Sequence, residues 1–390
     1  YYATQFLRPR FGHGADSGGR RTPWIIGGVA ILALGGLCAA LSVMVMAESA
    51  AWGIAAAVPS FLLIGAGIGA AGTNVLALLA ARVAPDRRAA AGSAVWMMMV
   101  AGLAVTGISV GQLLDPYSAE RLVTITAIVA VIAVAMACAG VLGIEGPRTE
   151  NQNHAANERD PGSKAKPAFQ TVLRVVWNDP RARRFAIFIF ASMFAYNAQD
   201  LILEPYAGHV FGMTPGESTA LGGQLHAGAL MGILAVLLAG TFFRRWFYVP
   251  TRVWIVGGCV VSGAALIALG LGGQTSAHWP IGANVFALGF ANGSFAVAAI
   301  GAMMGLASEG EGTQEGIRMG VFGAAQAIAF GVGAFVGTLA VDVMRALLAS
   351  DATAYGAVFV AEGGLFLCAA LLALRIAVTD RAAPQLVPGE

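Results

Sequence analysis

Long apolar runs alternate with short polar connections along almost the whole chain. A helix needs about 20 predominantly apolar residues to cross about 30 Å of hydrocarbon. Ten runs reach this length: 24–46, 53–80, 89–113, 121–144, 184–204, 218–243, 251–273, 279–307, 316–342 and 354–378. The pattern therefore predicts ten membrane-spanning α-helices.

The composition agrees with this pattern. Hydrophobic residues make up 57% of the chain, charged residues only 11%, and the mean hydropathy is +0.73. Because soluble domains carry about a quarter charged residues, these values exclude a soluble globular protein and indicate an all-α polytopic membrane protein. We expect a lipid bilayer around it and no nucleic-acid partner. All the cysteines fall in apolar runs without metal-type spacing, so no intrinsic metal site is expected; they are Cys38, Cys138, Cys259 and Cys368.

The basic residues are concentrated beside alternate connections. Arg8, Arg10, Arg20 and Arg21 precede the first run, Arg82, Arg87 and Arg88 follow the second, and Arg244, Arg245 and Arg252 follow the sixth. Lys and Arg mark the cytoplasmic connections of membrane proteins. Both termini are therefore expected in the cytoplasm.

One connection, residues 145–183, is long, polar and rich in Asn, Pro, Lys and Arg. Such a segment is typical of a linker, here cytoplasmic, between an N-terminal helix bundle (1–144) and a C-terminal one (184–378), with a tail at 379–390. Six runs follow the linker and four precede it. Duplicated transporters have matched halves, so we expect two further spans before Tyr1, twelve in all, in two pseudo-symmetric bundles.

The fifth run carries two acids near its end. Asp200 and Glu204 share one helix face with Asn197. Each acid costs up to about 2.5–3.5 kcal/mol at mid-bilayer, so protonation, a partner or a bound cofactor should compensate them. Pro205 lacks the N–H that a continuing helix needs. We therefore expect the helix to end at about Glu204, with both acids at its mouth.

The first polar connection resembles the loop signature of the major facilitator superfamily. The residues that carry this resemblance are Gly12, Asp16, Gly19, Arg20 and Arg21. Glycines allow a tight turn, and Asp16 is placed to accept charge-assisted bonds from the arginines or from the next helix. Ser17 departs from the signature, in which a basic residue usually follows the Asp. The resemblance implies a major-facilitator-like fold.

A narrower resemblance lies in Gln199-Asp200-Leu-Ile-Leu-Glu204-Pro205-Tyr206-Ala-Gly208, followed by Phe211-Gly-Met-Thr-Pro-Gly-Glu217-Ser-Thr219. These segments are similar to those of the PucC-type bacteriochlorophyll delivery family of phototrophic bacteria. The resemblance implies a factor for assembly of light-harvesting complexes that handles bacteriochlorophyll or guards antenna polypeptides. It further implies antenna polypeptides, and the reaction-centre antenna complex, as partners, and the photosynthetic intracytoplasmic part of the bacterial inner membrane as the location.

A magnesium tetrapyrrole needs one axial donor and a broad apolar wall. His226 is the only histidine well inside a predicted span, and it lies at a depth near that of Tyr196 to Asp200. Three interpretations stay open for His226: a hydrogen bond to Asp200, Gln199 or a backbone carbonyl across the helix pair, an axial ligand of the pigment magnesium, or a proton relay. Phe185, Phe188, Phe190, Phe194 and Tyr196 supply either the aromatic wall or ordinary helix packing.

The sequence thus gives one set of candidates for pigment binding or proton coupling. They are Tyr196, Asn197, Gln199, Asp200, Glu204, Tyr206 and His226. The alternative function is proton-coupled secondary transport of a small solute, with Asp200 and Glu204 as the titrating pair. No paired Asp-rich motif, P-loop, dinucleotide fingerprint or Ser-His-Asp arrangement stands out, so no enzymatic activity is expected.

Overall fold

The computed structural model describes residues 21–83, 88–144, 180–241, 249–275, 279–308 and 315–375. The helices are α1 (Thr22–Glu48), α2 (Ala50–Arg82), α3 (Arg88–Leu114), α4 (Ala119–Val141), α5 (Pro180–Phe211), α6 (Pro215–Gly240), α7 (Thr251–Gly272), α8 (Ile281–Ser308), α9 (Glu315–Leu347) and α10 (Asp351–Leu374). All ten are long and apolar enough to cross a membrane, and the described residues contain no β-strand. The ten predicted spans and the all-α membrane fold are confirmed.

The helices belong to two compact units. The first contains α1, α2, α4 and the two ends of α3, and within it α1 packs along α2 and α4. The second contains residues 97–112 of α3 together with α5 to α10. The domain limits expected from the sequence remain predictions. Residues 145–179 of the expected linker, and all of the expected tail, lie outside the described residues.

In the second unit, α5 packs against α9 and α10, α6 packs against α8, and α7 packs against both α8 and α10. Aromatic side chains fill the space between these helices. The rings of Phe185 and Phe322 meet edge to face at 4.9 Å between centroids, and those of Phe188 and Phe295 at 6.2 Å. Phe185 and Phe188 therefore act as packing residues between helices.

Glycines bring α7 and α10 into backbone contact. A Cβ on Gly270 would lie 2.7 Å from the carbonyl oxygen of Gly356, and a Cβ on Gly356 would lie 2.7 Å from that of Gly270. Any side chain here would push the helices apart, whereas small residues let membrane helices approach closely. This contact fixes the position of α10 beside α7.

Candidate functional site

Helix α5, which carries most of the predicted site, continues through Pro205 to Phe211. The expected end at Glu204 is therefore wrong, and the acids do not lie at the helix mouth. Proline removes one backbone hydrogen bond, and in membrane helices neighbouring groups and local adjustments make this loss tolerable. The helix ends instead at Phe211, and the next residue, Gly212, has a φ of +66°, the left-handed conformation that favours glycine after a helix terminus.

Tyr206 holds the segment after the proline in place. Its hydroxyl donates to the carbonyl oxygen of Leu269 on α7 at 2.6 Å, and its ring packs against Tyr355 and Phe359 of α10. The side chain is fully buried. Among the predicted site residues, Tyr206 thus has the contacts of a structural anchor.

A residue that the sequence analysis did not single out, Glu362, lies in the middle of α10. It is only 6% exposed, and neither carboxyl oxygen has a hydrogen-bond partner among the described residues. Its carboxyl group interacts electrostatically with that of Asp200. An acid inside a predicted span is by default a functional candidate, so the position of Glu362 in the tenth apolar run was the signal that could have found it.

Gln199 faces the same interface between α5 and α10. It is 1% exposed, and its amide nitrogen and oxygen have no partner among the described residues. Because the two helices run antiparallel and Tyr206 packs on Tyr355 and Phe359, the register places Gln199 opposite Glu362. The side chains of Gln199 and Glu362, both buried and without hydrogen-bond partners among the described residues, therefore lie at one level of this interface.

Four polar residues of the second unit share one depth. Asp200 lies eleven residues before the end of α5, whereas His226, Asn292 and Glu362 lie eleven residues after the starts of α6, α8 and α10. These helix ends lie on the same side of the membrane-spanning unit. Each adjoins one of the connections 212–214, 273–280 and 348–350, and two helices separate each of these connections from the next. At 1.5 Å per residue the distance is about 16 Å, close to half of the hydrocarbon thickness of about 30 Å. We call these four residues the polar layer.

Asn292 is the member of the polar layer that accepts a side-chain hydrogen bond from another helix. The hydroxyl of Ser262 on α7 donates to Oδ1 of Asn292 at 2.7 Å, and both side chains are buried. This bond joins α7 to α8, as expected of polar side chains that hold membrane helices together. The pair is a structural contact within the layer.

His226 is half-buried, and its Nδ1 lies 2.8 Å from the carbonyl oxygen of Gly222, one turn earlier in α6. The hydrogen bond of Nδ1 is therefore made within α6, and not to Asp200, Gln199 or a backbone carbonyl across the helix pair. In this contact Nδ1–H donates, which leaves Nε2 as the ring's acceptor. Metal-ligating histidines commonly have this arrangement, so the axial-ligand interpretation is compatible with the geometry.

The other acids and amides of α5 point in different directions. Glu204 is exposed and approaches α6, where its Oε1 would lie 3.0 Å from a Cβ on Gly222. Asn197 donates to the carbonyl oxygen of Phe330 on α9 at 2.6 Å, and the ring of Tyr196 packs on that of Phe330. Asn197 and Tyr196 thus attach α5 to α9. Glu204 lies beside α6, the helix of His226.

A groove of about 390 Å³ lies between α5, α9 and α10. Its walls are apolar except for Glu362. This volume lies within the range of about 300–1,000 Å³ that is usual for small-molecule sites. Of the aromatic residues considered from the sequence, Phe194 lines this groove.

Within the described residues, no three His, Cys, Asp or Glu side chains come together as a group that would hold a metal ion. A pigment that brings its own magnesium needs only one donor from the protein. Glu362 and His226 each have a donor atom at mid-depth. Gly12, Asp16, Gly19 and Arg20 of the loop motif lie outside the described residues, and Arg21 stands directly before α1.

Comparison with protein families and known proteins gives a consistent result. The family model described as PUCC protein matches residues 1–381. The "Bacteriochlorophyll synthase 44.5 kDa chain" of Rhodobacter capsulatus is 46% identical over 397 residues, which span 100% of this chain and 88% of the relative. Protein PucC of Cereibacter sphaeroides is 26% identical over 387 residues, which span 96% of this chain and 80% of the relative.

Among solved structures, a crystal structure of the peptide transporter POT in complex with alafosfalin is similar to the chain. The TM-score is 0.59 at 18% sequence identity, and the match covers 97% of this chain and 84% of the transporter. At this identity the likeness shows the fold alone. It confirms the transporter-like fold expected from the sequence.

Proposed function

This chain belongs to the PucC family, and from that premise we propose that it binds bacteriochlorophyll in the membrane and serves the assembly of light-harvesting complexes. The names of its relatives support this role, since one of them is called a bacteriochlorophyll synthase chain. The proposed partners are antenna polypeptides and the reaction-centre antenna complex. The proposed location is the photosynthetic inner membrane of a bacterium.

The observation that carries the proposal is the polar layer, in which Asp200, His226, Asn292 and Glu362 lie at one depth of the second unit. Bacteriochlorophyll has an apolar periphery and a single magnesium that accepts one axial donor. His226 and Glu362 each offer such a donor. The apolar groove at Glu362 offers a wall against which a hydrophobic molecule packs.

The test is gentle purification of the protein from a phototrophic host, followed by its absorption spectrum, pigment extraction and identification of bound polypeptides. Near-stoichiometric bacteriochlorophyll, or antenna polypeptides, support the proposal. A protein that purifies without either of them overturns it. Asp200→Ala and His226→Ala are compared with Asp342→Ala, a control that removes an exposed acid from α9.

The proposed role contains no catalytic step, although one relative is named as a synthase chain. It predicts that the purified chain alone does not join bacteriochlorophyllide to a prenyl diphosphate. Appearance of the esterified pigment above the level of a protein-free control would make the chain an enzyme.

A second candidate, proton-coupled transport of a small solute, is favoured by two carboxyl groups of the polar layer, those of Asp200 and Glu362, which interact electrostatically. Ionisable groups at this depth mark proton relays in transporters. This candidate requires solute flux in proteoliposomes that responds to a proton gradient and weakens in Asp200→Asn. If the chain binds pigment and shows no such flux, the transport candidate is wrong and the pigment-binding proposal is supported.

A further inference from the structure

Five of the eleven residues that line the groove between α5, α9 and α10 are glycine or alanine. Ala198 lies on α5, Gly337 and Ala340 on α9, and Ala357 and Ala361 on α10. Small residues normally let membrane helices close on one another. Here they surround about 390 Å³ of free space instead, which is room for a flat molecule.

Glu362 is the only residue in the lining of this groove with a polar side chain. It is more than nine-tenths buried, and both of its oxygens lack a hydrogen-bond partner among the described residues. A buried polar group without a partner is costly, and the electrostatic interaction with the carboxyl of Asp200 is unfavourable. A ligand with a positive centre would relieve both costs.

The groove opens onto an apolar surface. Val336, in its lining, is 38% exposed. It belongs to a stripe of exposed apolar residues along α9, which comprises Ile328, Val332, Phe335, Val336, Leu339 and Val343. Because such a stripe is suited to contact with lipid chains, a molecule dissolved in the bilayer would reach the groove directly.

We infer that this groove binds the macrocycle of a magnesium tetrapyrrole and that an oxygen of Glu362 is the axial ligand of the magnesium. The inference rests on the proposed function and assigns its binding site. Magnesium is a hard cation that prefers oxygen ligands, so it would accept a lone pair from an oxygen of Glu362 that has no hydrogen-bond partner among the described residues. His226 does not belong to the groove lining, and its Nδ1 bonds within its own helix.

The test is titration of the purified chain in detergent with bacteriochlorophyll and, separately, with magnesium-free bacteriopheophytin. The unaltered chain should bind the magnesium pigment at least about ten-fold more tightly, a difference of about 1.4 kcal/mol. Glu362→Leu should abolish this preference, whereas Glu362→Gln keeps an oxygen donor and should retain part of it. Thermal unfolding of each variant establishes that it is folded.

A second variant tests the groove itself. Ala361→Phe places a ring in the groove from an exposed position of α10 and should weaken binding of both pigments at least about ten-fold. Ala135→Phe makes the same change at an exposed position of α4 and should change neither.

The outcomes separate this inference from the proposed function. If the unaltered chain binds pigment and Glu362→Leu keeps the magnesium preference, the inference is wrong and the proposed function stands. Loss of the preference in His226→Leu, but not in Glu362→Leu, would likewise overturn it and make His226 the ligand. A chain that binds neither pigment overturns the inference together with the pigment-binding part of the proposed function.

Discussion

Glu362, the proposed pigment ligand, illustrates the cost of a buried polar group at the scale of one side chain. A buried polar group without a hydrogen-bond partner destabilises a protein by about 1–3 kcal/mol. Both carboxyl oxygens of Glu362 are in this situation. The residue is therefore expected to lower the stability of the pigment-free protein, and the proposed ligand would remove this cost.

We predict that Glu362→Leu raises the melting temperature of the pigment-free protein, because it replaces an unpaired carboxyl by an apolar group. Glu217→Leu is the matched contrast, since Glu217 accepts a hydrogen bond from the backbone N–H of Thr214 at 2.8 Å in a capping box at the start of α6. That change should lower the melting temperature. Thermal unfolding in detergent measures both, and a fall in Glu362→Leu would show that the carboxyl has a stabilising partner.

Tyr206 gives a second prediction at this scale. Tyr206→Phe keeps the ring contacts but removes the donor to the carbonyl oxygen of Leu269, so it should lower the free energy of unfolding by about 1 kcal/mol. The control is Tyr117→Phe, at a side chain that is 42% exposed. If both variants unfold alike, the hydroxyl of Tyr206 does not contribute as an anchor.

At the scale of elements, α6 and α8 pack closely through glycines, and replacing these glycines should lower the stability of the protein. A Cβ on Gly289 would overlap the carbonyl oxygen of Leu225, while a Cβ on Gly301 of the same helix has open space around it. Gly289→Ala should therefore destabilise the protein by about 1–3 kcal/mol. Gly301→Ala should be neutral or stabilising by up to about 1 kcal/mol, from helix propensity. Melting temperatures in detergent compare the two, and equal effects would contradict this close approach.

The helices also show which features the sequence predicts and which it does not. Ten spans follow from hydrophobic length alone, because the bilayer fixes the length that a helix needs. The end at Glu204 was wrong because the rule for proline considers one helix, whereas Tyr206 holds the next turn against α7 and α10. The electrostatic interaction between Asp200 and Glu362 involves positions far apart in the chain, and hydropathy carries no information on such interactions.

At the scale of the whole molecule, all the polar-layer residues belong to the second unit. The motif that carried the family resemblance lies in the same unit, on α5 and the start of α6. A short segment thus identified both the family and one half of the candidate site. The other half, Glu362 on α10, follows only from the packing of α5 against α10.

The distribution of arginines along the whole chain predicts its orientation. Arg345 is a cation on the side expected to be outside, and its Nε donates to Oδ1 of Asp351 at 2.7 Å. Topology follows the number of Lys and Arg near the helix ends, and neighbouring acids contribute little to it. The helix alternation assigns Arg82 and Arg252 to the opposite side, where the arginines are more numerous, so that side is predicted to be cytoplasmic.

We therefore predict that Ser350, before α10, faces away from the cytoplasm and that Thr241, after α6, faces the cytoplasm. Single cysteines at these two exposed positions, in a chain whose native cysteines are replaced by alanine, provide the test. A membrane-impermeant maleimide should label Ser350→Cys in spheroplasts and Thr241→Cys only in inverted vesicles. The reverse labelling pattern would show that the protein has the opposite orientation in the membrane. Labelling of both from one side would contradict the alternation of the helices, because an odd number of spans separates the two positions.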